Sequence, residues 1–174
     1  EEEDHSPLFG SEEEEEVKMG KFLKQGRVVI ILRGRFAGRK AIIVKTFDEG
    51  AGPRKFGHCL VAGIDIPPKK ITRAMSEKMV KKRSTIRPFV KAINYNHLMP
   101  TRYRADLELK NLETTGDDAT KFKLDEEALN DPSTRLLVKK AVKKVLETGY
   151  FAQNKRKNAK MEEGVKYFYQ KLRF

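Results

Sequence analysis

Basic side chains flank two glycines near the start of the chain, and binding phosphate is the chemistry open to them. Residues 34–40 read Gly-Arg-Phe-Ala-Gly-Arg-Lys. A nucleotide-binding P-loop needs four residues between its glycines and then Lys followed by Ser or Thr. Here three residues separate the glycines, and Arg-Lys-Ala follows. Nucleotide hydrolysis is therefore not expected, and the cations belong either to a phosphate-binding turn or to a simply solvated one.

A second group with chemical potential lies at residues 94–103, which read Asn-Tyr-Asn-His-Leu-Met-Pro-Thr-Arg-Tyr. Amide donors, aromatic rings and cations of this kind can stack on RNA bases and bond base edges or 2′-hydroxyls. The alternative is a loop between two strands in which the Asn side chains satisfy their own backbone. The residues alone do not separate these two interpretations.

Catalytic and metal-binding patterns are not found. His5, His58 and His97 are too scattered for a metal site, because no pair has the spacing that converges from one helix face. The acidic pairs at 117–118 and 126–127 lie in polar stretches typical of solvated surface. We therefore expect no enzyme, no metal, no cofactor and no small-molecule substrate.

The charge balance points to a polyanionic partner. The chain has 174 residues, and 37 Lys plus Arg against 25 Asp plus Glu give a net charge of +12. Residues 1–18 contain nine acids and one lysine, a charge of −8, so the remaining residues carry +20. A phosphate backbone is the commonest surface that compensates such an excess.

An anionic membrane is the competing partner, but the longest wholly apolar run is the five residues 28–32, against about 20 needed to span a bilayer. The single Cys59 cannot form an internal disulfide, which favours a reducing compartment. The acidic amino terminus has neither the pattern of a signal peptide nor that of a transit peptide. We expect a nucleic-acid-binding protein of the cytosol or nucleus, with no membrane partner.

Five short strands are predicted to carry these residues. Two β-branched runs separated by a five-residue connection with two glycines indicate a hairpin, and strict alternation over 102–110 indicates a half-buried strand. The predicted strands cover residues 28–32, 41–44, 59–64, 89–95 and 102–110. Together they suggest a small β-barrel, which would remove exposed edges by closing on itself.

Two basic helices are predicted. A short one covers residues 69–83, between the third and fourth strands. A longer one has Asp131 as N-cap, Pro132 at its first position and Gly149 at its end. The apolar face of this longer helix has no Trp or Phe that would anchor it in a membrane surface. We therefore favour a helix whose lysines bind RNA over one that lies on a membrane. The aromatic and basic residues of the last 25 positions could stack on bases or pack on a protein.

The segments together resemble one family. The hairpin from Gly26-Arg27 through Gly34 and Gly38-Arg39 is similar to the KOW motif of ribosomal proteins and of NusG- and Spt5-type elongation factors. Residues 19–22, 60–65, 82–84, 94–103 and 168–174 add, in the same order, a pattern that resembles the eukaryotic large-subunit ribosomal protein numbered twenty-seven, which is distinct from the bacterial protein sharing that number.

The resemblance implies an α+β protein: a small SH3-like β-barrel with the KOW hairpin, plus basic helices and an extended C-terminal tail. It implies a structural constituent of the cytosolic large subunit that binds rRNA and neighbouring ribosomal proteins, with nucleolar assembly. The alternative function is a KOW-domain transcription or RNA-binding regulator. The domain boundaries that follow are an acidic extension at 1–18, the barrel at 19–110 with its inserted basic helix, and the helical extension with its aromatic tail at 111–174.

The RNA-binding role of the family is carried over most directly to residues of the KOW hairpin and of the block at 94–103. The other predicted RNA-binding residues are selected by their positive charge alone. The predicted RNA-binding residues are Arg27, Arg33, Arg35, Arg39, Lys40, Lys69, Lys70, Lys81, Lys82, Arg83, Arg87, Asn94, Asn96, His97, Arg102, Arg104, Lys139, Lys140, Lys143, Lys144, Lys155, Arg156, Lys157, Lys171 and Arg173. The acidic extension has no counterpart in the resemblance. The sequence from Met19 resembles a natural start of translation. A basic neighbouring protein would be a better contact for the acidic residues than RNA, which would repel them.

Overall fold

The structure is a computed structural model that describes residues 22–105, 107, 109, 111–113, 121–124, 129–152 and 159–173. The acidic extension and the predicted cations Lys155, Arg156 and Lys157 lie outside the described residues.

One antiparallel sheet of five strands forms the centre of the protein. Its strands are β1 (Arg27–Ile31), β2 (Lys40–Phe47), β3 (His58–Ile66), β4 (Arg87–Asn94) and β5 (Leu98–Arg104), paired in the order β4-β3-β2-β1-β5. The first four coincide with predicted strands and extend most of them by a few residues. These four predictions are confirmed.

The β1–β2 connection has the predicted hairpin geometry. Ile30 pairs with Lys40, and the Gly38 N–H donates to the Ile31 carbonyl at 2.7 Å. Gly34 and Gly38 have φ angles of 92° and 73°, a region that side chains with a Cβ rarely adopt. The two glycines therefore fix the shape of the turn that presents its arginines.

The fifth strand is displaced from its predicted position. It begins at Leu98 and ends at Arg104, whereas the alternating pattern ran over 102–110. Pro100 lies within the strand and pairs opposite Val29, which is possible because β5 is at the edge of the sheet. Ala105, Leu107 and Leu109 are buried as the alternation predicted, but outside a strand.

The central strands β1, β2 and β3 are buried on both faces, which explains why they read as nearly continuous apolar runs. One face of the sheet contributes Val28, Ile42 and Leu60 to a core shared with the helices. The other contributes Ile31, Ile43 and several neighbours to a second core.

The predicted closed barrel is corrected to an open sheet. Among the described residues, β4 and β5 are not paired with each other and remain its two edges, joined through the short 3₁₀ turn Tyr95–His97. The architecture is a small α+β fold of the SH3-like type.

The helices differ in extent from the prediction. Helix α1 is Glu77–Ser84, so only the second half of the predicted segment 69–83 is helical. The first half follows two prolines and is not helical: the Lys69 N–H donates to the Arg83 carbonyl at 2.8 Å, and the Met75 N–H closes a turn on the Thr72 carbonyl at 3.2 Å. A two-stranded hairpin of β6 (Asn111–Glu113) and β7 (Lys121–Lys123) was not predicted.

Helix α2 is Pro132–Phe151, and its start is confirmed, since the Asp131 side chain accepts from the Thr134 N–H at 3.1 Å. The predicted end at Gly149 is wrong. The helix continues to Phe151 because Gly149 is buried within it and Tyr150 packs against the core, so tertiary contact overrides the glycine signal.

Helix α3 (Ala159–Tyr169) completes the layer over the sheet. Its Val165 and Phe168 share the core with Leu146 of α2, and the Tyr169 hydroxyl donates to the Leu146 carbonyl at 2.7 Å. A Cβ at Gly164 would collide with the Arg104 carbonyl, so this glycine allows α3 to lie directly on β5. The end of the chain is thereby held against its first hairpin.

Candidate nucleic-acid interface

The structure brings two of the predicted RNA-binding segments together at one cleft. This hairpin cleft has a volume of about 360 Å³, and its walls include Arg33 from the β1–β2 connection, Asn94 from the end of β4 and His97 from the turn that follows. The Leu32 N–H donates to the His97 carbonyl at 2.9 Å, which ties the two segments directly. Residues far apart in the chain therefore form one surface.

The hairpin connection is anchored by an aromatic ring and exposes its arginines. Phe36 stacks on Phe89 of β4 with ring centroids 4.0 Å apart. Arg33 and Arg35 are exposed, and the Arg35 guanidinium lies 5.6 Å from the centre of the Phe36 ring. A rigid turn with exposed arginines suits phosphate contact.

The turn after β4 caps its own backbone and also leaves polar side chains accessible. Asn94 Oδ1 accepts from the Asn96 N–H at 2.9 Å, so this side chain does cap its own backbone. The Tyr95 hydroxyl donates to Asp48 Oδ1 at 2.8 Å, and burial together with this carboxylate raises the Tyr95 pKa. The turn is thus held from both sides, while Asn96 remains exposed and His97 partly so.

The hairpin cleft is also lined by residues that were not predicted from the sequence to bind RNA, among them Arg54, Phe56, His58 and Lys91. His58 is fully buried, its ring stacks on Phe47, and its Nδ1 lies 2.8 Å from the Phe56 carbonyl. The Phe56 ring meets His58 edge-on and is 46 % exposed. These residues come from β3, β4 and the loop before β3, so only the topology assembles them.

Several predicted RNA-binding cations make contacts within the protein instead of lining the hairpin cleft. Arg27 donates through Nη1 to the Thr101 carbonyl at 3.1 Å. Arg39 and Arg87 each place Nε 3.4 Å from Asp65, on opposite oxygens of its carboxylate. Arg27 therefore connects β1 to β5, and Arg39 and Arg87 share the Asp65 carboxylate.

Lys40 has the most internal position of the predicted cations. Its side chain is 5 % exposed, and Nζ donates to the Tyr167 carbonyl at 2.6 Å and to the Gln170 carbonyl at 2.8 Å. Nζ also lies 3.6 Å from the centre of the Tyr167 ring. Burial lowers the Lys40 pKa from 10.5 to about 8. Lys40 thus satisfies carbonyls at the end of α3, where a cation is favourable.

A second basic depression, the tail cleft, has a volume of about 690 Å³ and lies between the segment after β3 and the end of α3. It gathers the predicted cations Lys40, Lys69, Lys70, Lys171 and Arg173, together with Lys166, Tyr150, Tyr167 and Tyr169, which were not selected. Lysines from distant segments therefore face the same depression.

The remaining predicted cations are spread over the outer surface. Lys81 and Lys82 are exposed on α1, and Arg83 donates through Nε to the Lys70 carbonyl at 2.9 Å. Arg102 lies 3.5 Å from Glu163 of α3, and Arg104 is exposed at the end of β5.

On α2, the four predicted lysines are Lys139, Lys140, Lys143 and Lys144. They are exposed or partly exposed, and Lys143 lies 3.8 Å from Glu147 one turn later. None of these α2 lysines lines the hairpin cleft or the tail cleft.

The part of the chain that the structure describes contains no group of three His, Cys, Asp or Glu side chains placed to hold a metal ion. Burial raises the Cys59 pKa to about 12, so this thiol is protonated at neutral pH. Among the described helices, none is both long and apolar enough to cross a bilayer.

Comparison with known proteins gives a consistent result. Residues 28–174 match the model of the Ribosomal L27e protein family. Two relatives from Candida albicans, one of them from strain SC5314 / ATCC MYA-2876, are each named "Large ribosomal subunit protein eL27". Each is 46 % identical over 156 residues, which cover 90 % of this chain and 100 % of the relative.

Proposed function

The chain belongs to the Ribosomal L27e protein family, and we propose that it is a structural constituent of the large ribosomal subunit that binds rRNA through the hairpin cleft and the arginines beside it. It has no catalytic role. Its partners are rRNA and neighbouring ribosomal proteins, and it acts in cytoplasmic ribosomes after nucleolar assembly.

The observation that carries this proposal is the convergence of Arg33 with Asn94 and His97 on one cleft. Cations supply attraction to phosphates, and the amide and imidazole groups can bond bases or 2′-hydroxyls. The charge of +20 outside residues 1–18 suits the same partner. A KOW hairpin alone would also suit a transcription regulator, but the family match extends through both C-terminal helices.

Incorporation into ribosomes tests the proposal. Tagged wild-type protein and the double variant Arg33→Glu/Arg35→Glu would be expressed in cells and fractionated on sucrose gradients. We expect the wild type to sediment with large subunits and the variant to shift toward free protein, because two repelling carboxylates replace two exposed guanidiniums.

A matched control reverses two cations away from the cleft. Arg73 and Lys78 are exposed and do not line it, so Arg73→Glu/Lys78→Glu changes net charge by the same amount. We expect this control to incorporate nearly as the wild type does. Equal incorporation of both variants would exclude the hairpin arginines from the interface, and wild-type protein absent from large subunits would overturn the proposed function itself.

A further inference from the structure

We propose that the hairpin cleft receives one unstacked RNA base, so that the protein binds a single-stranded or bulged nucleotide there rather than only the backbone of a helix. The proposal rests on the proposed function, because it names what part of the RNA occupies the same cleft. It adds Phe56, Arg54 and Lys91 to the RNA-binding residues.

The size of the cleft favours a single nucleotide. Its volume of about 360 Å³ lies near the lower end of the range for small-ligand pockets, roughly 300–1,000 Å³. A duplex presents its bases stacked and paired, so only an extruded base could enter a depression of this size. RNA-binding proteins recognise sequence mainly at such loops, bulges and ends.

The walls of the cleft supply stacking surface. Phe56 keeps 46 % of its area exposed while its ring is held edge-on against the buried His58. Phe36 and the buried Ile31 and Ile93 add apolar surface to the same walls. A base stacked on Phe56 would cover an exposed ring that is fixed from behind, which limits the entropy lost on binding.

Polar groups sit where the rest of the nucleotide would lie. Arg33, Arg54 and Lys91 line the cleft and match the negative charge of the flanking phosphates. Asn94 and His97 offer groups that can hydrogen bond a base edge. Stacking surface, cations and hydrogen-bonding groups in one depression are the combination by which proteins bind unpaired nucleotides.

The test measures binding of the full chain to three RNA probes by fluorescence anisotropy. The probes are a single-stranded 12-mer, the same strand as a duplex with its complement, and the single strand with abasic nucleotides at its central positions. We expect the single strand to bind more tightly than the duplex or the abasic strand, because only it offers unpaired bases throughout.

The substitution Phe56→Ala should weaken binding of the single strand about tenfold, as expected for loss of stacking on one base, and leave its salt dependence unchanged because no charge is removed. Leu136→Ala on α2 is the matched control, since Leu136 is 62 % exposed and lies outside the cleft. It should bind as the wild type does.

The outcomes separate the two proposals. Single-strand binding that is the same for Phe56→Ala and wild type, or equal affinity for the three probes, would overturn the base pocket and leave rRNA binding by the arginines intact. No binding of any RNA by the wild type would overturn both. Circular dichroism of Phe56→Ala establishes that the variant is folded, and Phe56→Tyr, which retains an aromatic ring, should restore most of the affinity.

Discussion

The β1–β2 hairpin carries two pairs of cations that have the same charge and opposite surroundings. The inner cations, Arg27 and Lys40, lie on the strands and donate to main-chain carbonyls of β5 and of the α3 terminus. The outer cations, Arg33 and Arg35, lie in the connection and are exposed. A count of basic residues treats the four as equivalent, whereas their positions assign two to the fold and leave two for a partner.

The difference has a simple physical origin. A buried cation loses its hydration and persists only where other groups replace the water. Lys40 has two carbonyl oxygens for this, whereas half-buried Arg27 has one carbonyl at Nη1 and leaves its Nε buried without a hydrogen-bond partner among the described residues. The exposed outer pair keeps its hydration, and under the proposed function a phosphate would replace that water. The comparison predicts that the inner pair controls stability and the outer pair controls RNA affinity.

The largest effect is expected for Lys40→Met, which keeps an unbranched side chain as far as Cε and removes the Nζ that donates to both carbonyls. The Tyr167 carbonyl keeps the Gln170 N–H as a donor at 3.3 Å, whereas the Gln170 carbonyl is left unsatisfied, at about 1–3 kcal/mol. Loss of the cation–π contact with the Tyr167 ring adds about 0.5–1 kcal/mol, so we expect a loss of roughly 2–4 kcal/mol in the free energy of unfolding. Urea denaturation measures it. Arg33→Met is the matched control and should change stability by less than about 0.5 kcal/mol; equal losses would contradict the comparison.

The next effect tests whether Lys40 acts through α3. Gly164→Ala places a methyl group against the Arg104 carbonyl and should destabilise by about 1–3 kcal/mol by forcing α3 away from β5. In the double variant with Lys40→Met, the losses should be less than additive, because a helix already displaced no longer needs its cap. Full additivity would show that the inner cation stabilises something other than the docked helix.

The third effect concerns the outer cations. Arg33→Glu/Arg35→Glu should lower the slope of log affinity against log salt for RNA by about one for each arginine, with stability unchanged within about 0.5 kcal/mol. Anisotropy titrations at several salt concentrations provide the slope, and urea denaturation provides the stability. A loss of stability as large as that of Lys40→Met would remove the distinction between the two pairs.

The last effect is a pH dependence. Folded protein releases the Lys40 proton near pH 8, while the unfolded chain keeps it until near 10.5. Between these values the unfolded state binds more protons, so stability rises with pH. The stability advantage of wild type over Lys40→Met should therefore grow from pH 7 to pH 10. The difference between the folded and unfolded pKa values sets the size of this change, and an advantage that shrinks with pH would contradict it.

The first three strands were predictable because burial of both faces makes most of each sequence continuously apolar. The fourth was predictable from its buried Phe89, Val90 and Ile93 although exposed Lys91 interrupts them, and the Asp131 cap because it is a local signal. The shift of β5 and the extension of α2 were not predictable from the sequence. Pro100 is tolerated within β5 because that strand lies at the edge of the sheet, and the packing of Tyr150 against the core overrides the helix-ending signal of Gly149.

The candidate site divides in the same way. Arg33, Asn94 and His97 were predicted from their own segments, but their meeting depends on the pairing of strands. Phe56 gave no signal, since one exposed phenylalanine has no periodicity to reveal it. The burial of Lys40 depends on a helix more than a hundred residues later in the chain, and no local pattern carries that information.

The contact between Lys40 and the end of α3 also sets an order of events during biosynthesis. Chains emerge from the ribosome amino terminus first, so the β1–β2 hairpin is free to form long before Tyr167 and Gln170 exist to receive its lysine. Until α3 has been synthesised, the Lys40 ammonium has no helix end to bind and remains in water. The segment that encloses it is made more than a hundred residues later, and a chain that stops short of residue 167 lacks both carbonyl partners of this lysine.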